Sequence, residues 1–408
     1  MSVSRRGFLG GLGAAGAGAG LSAIAATAHA SAPRAPHVAD RVPFHGEHQA
    51  GIATPSQDRL AFAAFDVTTD DRAALRDLLA EWTAAAEAMT RGAAVPGTSS
   101  LPSAPPADTG EAIGLPASGL TVTIGFGPSL FDDRLGLASR RPAALQPVPA
   151  LPGDELDPRR CGGDLAIQAC ANDPQVAFHV VRNLARIGAG TVAMRWSQLG
   201  FGRTSTTSRT QSTPRNLMGF KDGTRNIVGE DLAAMRRHVW AGADSGQPWM
   251  DGGTYLMARR IRMLVEAWDR DVLSDQEAVF GRRKHSGAPL TGVAESDDPD
   301  YAATAADGEP VIPDQAHIRL ASPENNDGLR ILRRGFSYTD GIDDLGLLDA
   351  GLFFISFQRD PEQFVALQRK LGRHDALNEY IKHTGSGVWA CPRGLPDPSR
   401  TWADHLFA

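Results

Sequence analysis

Cysteine is scarce in this chain: Cys161, Cys170 and Cys391 are the only three in 408 residues. They form no CxxC pair and no Cys/His spacing suited to a metal, and an odd count argues against a disulfide framework. A CxxCH segment is also missing, which excludes covalent haem attachment. There is no basic excess either. The formal charge is −6, which argues against nucleic acid and anionic membrane as partners. Beyond the N-terminal stretch no run approaches ~20 apolar residues, so no further helical span is expected. What remains is an ordinary apolar content of 42%, enough for a sizeable core. The length makes two domains the natural expectation.

Ser4-Arg5-Arg6-Gly7-Phe8-Leu9 reads as a twin-arginine signal, followed by a weakly apolar Gly/Ala stretch. Ala28-His29-Ala30 offers a small-x-small cleavage pattern, with Ser31 as the new N-terminus. The alternative is an uncleaved anchor, which so many glycines and alanines would make a poor membrane span. Loss of Arg5 and Arg6 takes the formal charge to −8. The twin-arginine machinery carries folded proteins, so this signal points to a cofactor inserted before export. Periplasmic or extracellular placement follows.

An internal repeat organises the rest. Leu165-Ala166-Ile167-Gln168-Ala169-Cys170-Ala171-Asn172-Asp173-Pro174 and Leu352-Phe353-Phe354-Ile355-Ser356-Phe357-Gln358-Arg359-Asp360-Pro361 both read as a buried strand, an Asp-Pro turn and a helix. Equivalent arginines, Arg182 and Arg369, sit on the two helices. A weaker match links Leu60–Val67 with Tyr255–Arg262. In the first half Asp70 or Thr69 is placed to cap a helix carrying Leu75, Leu78, Leu79, Trp82 and Met89. The expected class is α+β, two similar halves, each an antiparallel sheet with helices on one face. The expected boundaries are a signal at 1–30, an extended lead-in at 31–58, an N-terminal half at 59–201, a polar run at 202–216 that is a linker or the entrance to a site between the halves, and a C-terminal half at 217–408.

Three segments stand out for chemistry. Gly219-Phe220-Lys221-Asp222-Gly223-Thr224-Arg225-Asn226 holds a carboxylate between glycines that let the backbone approach a flat ligand. Taken alone it is also an ordinary capped turn. Ala316-His317-Ile318-Arg319-Leu320 reads as a short strand or extended stretch before the Ser322-Pro323 turn. Arg330-Ile331-Leu332-Arg333-Arg334-Gly335-Phe336 follows, which by itself reads equally as a solvated face.

Together these segments resemble the dye-decolourising peroxidase family, in the exported branch associated with iron uptake. Phe44 to Ile52 (FHGEHQAGI) resembles the family's entry motif, GFKDGTRN its distal loop and RRKHSGAPL (282–290) a further stretch. AHIRLASP resembles its haem-ligand segment, LRRGFSY its distal arginine segment, and Asp375-Ala376-Leu377-Asn378-Glu379-Tyr380-Ile381 its C-terminal proximal motif. The resemblance implies two ferredoxin-like halves of the dimeric α+β barrel type, with one non-covalent haem b between them or against the second. A homodimer is the expected assembly.

The resemblance also implies roles. His317 would ligate the iron, with Asp375 accepting its other N–H and Glu379 as a rival. Asp222 would move the proton of hydrogen peroxide and Arg333 would stabilise negative charge, with Arg330 and Arg334 as competitors. Gly223, Thr224, Arg225 and Asn226 would line the haem edge, together with Ser322, Pro323 and Glu324. Phe353, Phe354 and Phe357 would cover the ring or simply fill the core. The family's Asn-Pro-Arg is here Ser322-Pro323-Glu324, so the propionate contact of that arginine would pass to Arg225, Arg319 or Arg334. Tyr338 would relay electrons from bulky donors, or else pack as an ordinary tyrosine. The implied reaction is peroxide-driven oxidation of phenols or dyes. The alternatives are iron removal from haem or ferrous-iron oxidation beside an iron permease, and a non-catalytic haem carrier.

Overall fold

The computed structural model describes residues 41–97 and 102–407, all within one compact unit. The expected signal and the first ten residues of the lead-in lie outside the described residues. Among the described residues no helix is long and apolar enough to cross a membrane.

Nine strands form one antiparallel sheet. They are β1 (Arg59–Val67), β2 (Thr121–Phe126), β3 (Leu165–Ala171), β4 (Val192–Arg203), β5 (Thr254–Met263), β6 (Leu332–Arg333), β7 (Phe336–Ile342), β8 (Leu348–Gln358) and β9 (Ile381–Cys391). Eight close into a ring in the order β1-β4-β7-β8-β5-β9-β2-β3, and β6 is a two-residue edge on β8. The first half, β1-α1-β2-β3-α2-β4, with α1 (Arg72–Thr90) and α2 (Pro174–Ile187), pairs its strands as β4-β1-β3-β2. The second repeats that order as β9-β5-β8-β7, with α7 (Pro361–His374) in the place of α2. The two ferredoxin-like halves thus share one barrel.

The Asp-Pro turns work as the repeat suggested. Asp173 accepts from the backbone N–H groups of Gln175 and Val176, and Asp360 from that of Glu362, with Pro174 and Pro361 opening the helices. Gln363 completes a capping box on α7. The α1 cap is Asp71, one residue past the expected Asp70; Thr69 instead accepts from the Asp71 N–H.

Strand faces divide the core. Leu60, Phe62, Phe336, Phe353, Phe357 and Trp389 fill the barrel interior. Outside the first sheet, Leu79, Trp82, Ile167, Val180 and Leu184 pack α1 and α2 onto the strands, all at or near zero exposure. Each such side chain contributes roughly 1.5–3 kcal/mol on burial. The helix face of the second sheet is only partly filled, by Met218, Phe220, Met263, Trp268, Phe280 and Tyr380.

Two organisational expectations change. The lead-in is built into the fold, because buried Gln49 donates to Ile124 O at 3.0 Å and Pro392 O at 2.9 Å and so ties β2 to the C-terminal segment. Gly51 sits at φ +94°, where a Cβ would press into Thr123 Oγ1. The 202–216 segment is more than a linker: β4 runs into it, Thr204 to Ser208 are buried, and Asn216 at its end lines a cavity.

Candidate active site

A cavity of about 240 Å³ opens between the helix face of the second sheet, α7 and the loops 216–226 and 280–331. Every lining residue but Asn216 comes from the second half, so of the two placements expected for a haem the cavity is the one against that half. Arg259 and Ile261 of β5, Leu352 and Phe354 of β8, and Ile381 and His383 of β9 form its floor at alternate positions. Of the three phenylalanines on β8, only Phe354 faces it. Phe353 and Phe357 point into the barrel.

One wall carries His317. It begins a four-residue helix, α6 (His317–Leu320), rather than a strand. The backbone N–H of Ala376 donates to Gln315 O at 3.0 Å, fastening this turn to the Asp375 segment. His317 Nδ1 lies 2.6 Å from Asp375 Oδ2, and Asp375 Oδ1 accepts from Leu377 N at 2.9 Å. The rival Glu379 is exposed. Burial alone would lower the His317 pKa, but the Asp375 carboxylate outweighs it and the imidazole is held above its ordinary value. The side chain is 32% exposed although it lies deep in the protein, because that surface faces the cavity. With Nδ1 committed, Nε2 is the atom left for a ligand.

The distal loop carries Asp222. Residues 214–222 form a tight excursion: Asp222 N donates to Pro214 O, and Asn216 Oδ1 accepts from Met218 N and Phe220 N. Gly223, at φ +112°, lies so close to Ser205 and Thr206 that a Cβ would meet their backbone at 3.0 Å. Arg333 Nη1 donates to Asp222 Oδ1 at 2.9 Å and Nη2 to Thr224 O at 3.1 Å. Asn226 holds this arginine in place. Its Oδ1 accepts from Arg333 N, and its Nδ2 donates to Arg333 O and Thr206 O. The competitor Arg334 points away, fully buried among Thr54, Gln57 and Thr207.

Gly223, Thr224, Arg225, Asn226, Ser322 and Pro323 line the cavity, but Glu324 does not. It turns to the Arg225 guanidinium, which holds the Glu324 carboxyl below its ordinary pKa against the opposing effect of burial. Arg319 is also elsewhere, bonded to Tyr301 O and Ile312 O and paired with Asp314. Of the two readings of Tyr338, the relay and the packed tyrosine, its burial favours the second. It has zero exposure inside the barrel, with Arg260 stacked 4.2 Å from its ring centroid. Strand alternation sends it to the face opposite the cavity, so it reaches neither the site nor the surface. Sequence reasoning missed Arg259, Arg282, Gln368 and His383 as cavity residues.

Family models describe the two halves. The N-terminal region of Dyp-type peroxidases matches residues 49–202 and the C-terminal region residues 213–395. The chain belongs to the Dyp-type peroxidase family. Like other Dyp-type peroxidases it is a haem peroxidase, an oxidoreductase. A protein named deferrochelatase from Escherichia coli (strain K12) is 40% identical over 374 residues, 90% of this chain and 88% of the relative. A DyP-type peroxidase from Streptomyces coelicolor is 39% identical with a TM-score of 0.84, covering 93% of this chain and 100% of its own. Ferric DtpA from Streptomyces lividans gives the same values.

The residues present fit a haem. One wall offers an imidazole with a free Nε2, the opposite side offers an acid and a guanidinium, and between them lie apolar side chains such as Ile261, Phe280, Leu352, Phe354 and Leu367.

Proposed function

We propose that this peroxidase is exported by the twin-arginine route and uses hydrogen peroxide to oxidise bulky phenolic or dye-like donors. The observation that carries the peroxide half of this reading is the 2.9 Å contact between Arg333 and Asp222 on the same cavity as His317. When bound, the haem supplies the two electrons that reduce peroxide. His317 would hold the iron through Nε2, and Asp375, by accepting from Nδ1, makes the imidazole a stronger electron donor. Asp222 takes a proton from one peroxide oxygen and returns it to the other as it leaves as water. Arg333 stays protonated and offsets the negative charge that builds up meanwhile. A mere haem carrier would have no use for such a pair.

The second reading, iron removal from haem, is supported by the deferrochelatase relatives. The two separate by product: an oxidised donor with the haem intact, or iron-free porphyrin, which fluoresces. Peroxide consumption, dye turnover and porphyrin fluorescence followed in one sample would decide between them.

The distal assignment is tested by Asp222→Asn and Arg333→Leu in haem-loaded protein. At least one should slow the reaction with peroxide by about 10²–10⁴-fold while haem stays bound. Rates within about threefold of wild type for both variants would overturn it.

A further inference from the structure

Five arginines line the cavity: Arg225, Arg259, Arg282, Arg330 and Arg333. Three are neutralised on the spot, Arg225 by Glu324, Arg259 by Asp154 and Arg333 by Asp222. Arg282 has no carboxylate within 4 Å among the described residues, but it is committed to Gly287 O at 2.7 Å and Glu295 O at 3.3 Å. Of the five, Arg330 alone has neither among the described residues. Among the described residues its guanidinium makes two long hydrogen bonds, to the carbonyls of Arg225 and Asn226 at 3.3 and 3.4 Å. A half-buried cation beside two other guanidinium groups is costly unless an anion joins it. Burial pulls its pKa below the ordinary arginine value, and the more distant carboxylates of Asp231 and Glu324 do not offset that burial together with repulsion from Arg225 and Arg333.

We propose that Arg330 clamps a carboxylate of the bound haem, the role that the family resemblance would give to an arginine at the position of Glu324. Glu324, left at the same corner, has its charge cancelled by Arg225. That pairing frees Arg330 to be the net positive group facing the cavity. The guanidinium can donate two parallel N–H bonds to a propionate, the strong form of charge-assisted contact. The inference rests on haem occupying this cavity.

The test compares wild type, Arg330→Met and Arg330→Lys, each reconstituted with haem or with haem dimethyl ester, whose carboxylates are blocked. Porphyrin loss is timed by transfer to excess apomyoglobin. Haem should leave Arg330→Met about tenfold faster than wild type or more, with Arg330→Lys in between. The ester should leave all three at similar rates. Haem release within twofold of wild type in Arg330→Met would overturn the clamp. So would an equal acceleration with the ester, which would make Arg330 a structural residue. Failure of wild type to take up either porphyrin would remove the cofactor reading, and this proposal with it.

Discussion

The two halves of the barrel have the same strand order, yet one has a filled helix face and the other a cavity. Strand pairing makes the equivalences explicit. Ala63 pairs with Ile167 as Arg259 pairs with Phe354, and Phe65 pairs with Leu165 as Ile261 pairs with Leu352. On the helices, Val180, Val181 and Leu184 of α2 correspond to Leu367, Gln368 and Leu371 of α7. The decisive difference is the connection after the first strand of each half. In the first it is a 19-residue helix whose Leu75, Leu79 and Trp82 seal the sheet. In the second it is an irregular excursion with three short helices, α4 (Val265–Trp268), α5 (Leu273–Phe280) and α6. The site therefore lies where the second half has no sealing helix, and the loops in its place bring His317.

The contrast is broken most severely at His317. His317→Ala should leave a folded protein with under about a tenth of the wild-type haem, because the ligand bond is lost while the first half's core is untouched. Haem content by pyridine haemochrome, with far-ultraviolet circular dichroism as the folding control, makes the measurement. Full occupancy with an unchanged ferric spectrum would take His317 off the iron.

The same leucine position in the two halves gives a smaller and more direct comparison. Leu184 is fully buried against α1, so Leu184→Ala should cost about 2–5 kcal/mol. Leu371 lines the cavity and is partly exposed, so in apoprotein Leu371→Ala should cost under about 1 kcal/mol. Urea unfolding of both variants measures the difference. Equal costs would mean that the second half's helix face is packed as tightly as the first, contrary to the cavity.

Much of this was legible beforehand, and the limits have physical reasons. The repeat anchored on Asp173-Pro174 and Asp360-Pro361 carried the correct faces, since a cap and a helix-opening proline mark one residue unambiguously. The match of Leu60–Val67 to Tyr255–Arg262 was off by one residue. Nearly every position of β1 is buried on both faces, so it has no alternation to set register, and a one-residue slip exchanges the faces. A four-residue helix at His317 is too short for any period to reveal. His317, Asp222, Arg333 and Asp375 were readable through their motifs. Arg259 and Arg260, adjacent in sequence, could not be separated until the strand sent one to the cavity and the other to stack on Tyr338. The sequence marks Arg330 only as a rival of Arg333, because its lack of a carboxylate partner among the described residues is a fact of three dimensions.

The gentlest probe of the comparison is pH. Two buried histidines on the outer side are held neutral, one against each half: His383 on the cavity floor and His405 beneath the first half. Burial drives the His383 pKa down to about 3, helped by the Arg259 guanidinium, and that of His405 to about 4. His383 Nδ1 has no partner, while Nε2 lies 3.0 Å from the Gln368 amide nitrogen. Both folded pKa values lie below the unfolded value of about 6.5, so acid favours the unfolded chain, which binds protons first. Stability from these groups is complete above about pH 6.5 and is lost as pH falls towards the folded pKa, by up to about 1.4 kcal/mol per unit for each histidine. Between pH 6 and 4.5, His383→Gln should therefore remove about one proton from the uptake on unfolding and flatten the acid side of the stability curve. His405→Gln should do the same from the other half. Urea unfolding of the apoprotein at half-unit pH steps reads both slopes. If His383→Gln keeps the wild-type slope while His405→Gln loses it, the cavity floor is wet enough to let His383 titrate normally, and the second half is more open than its buried polar groups imply.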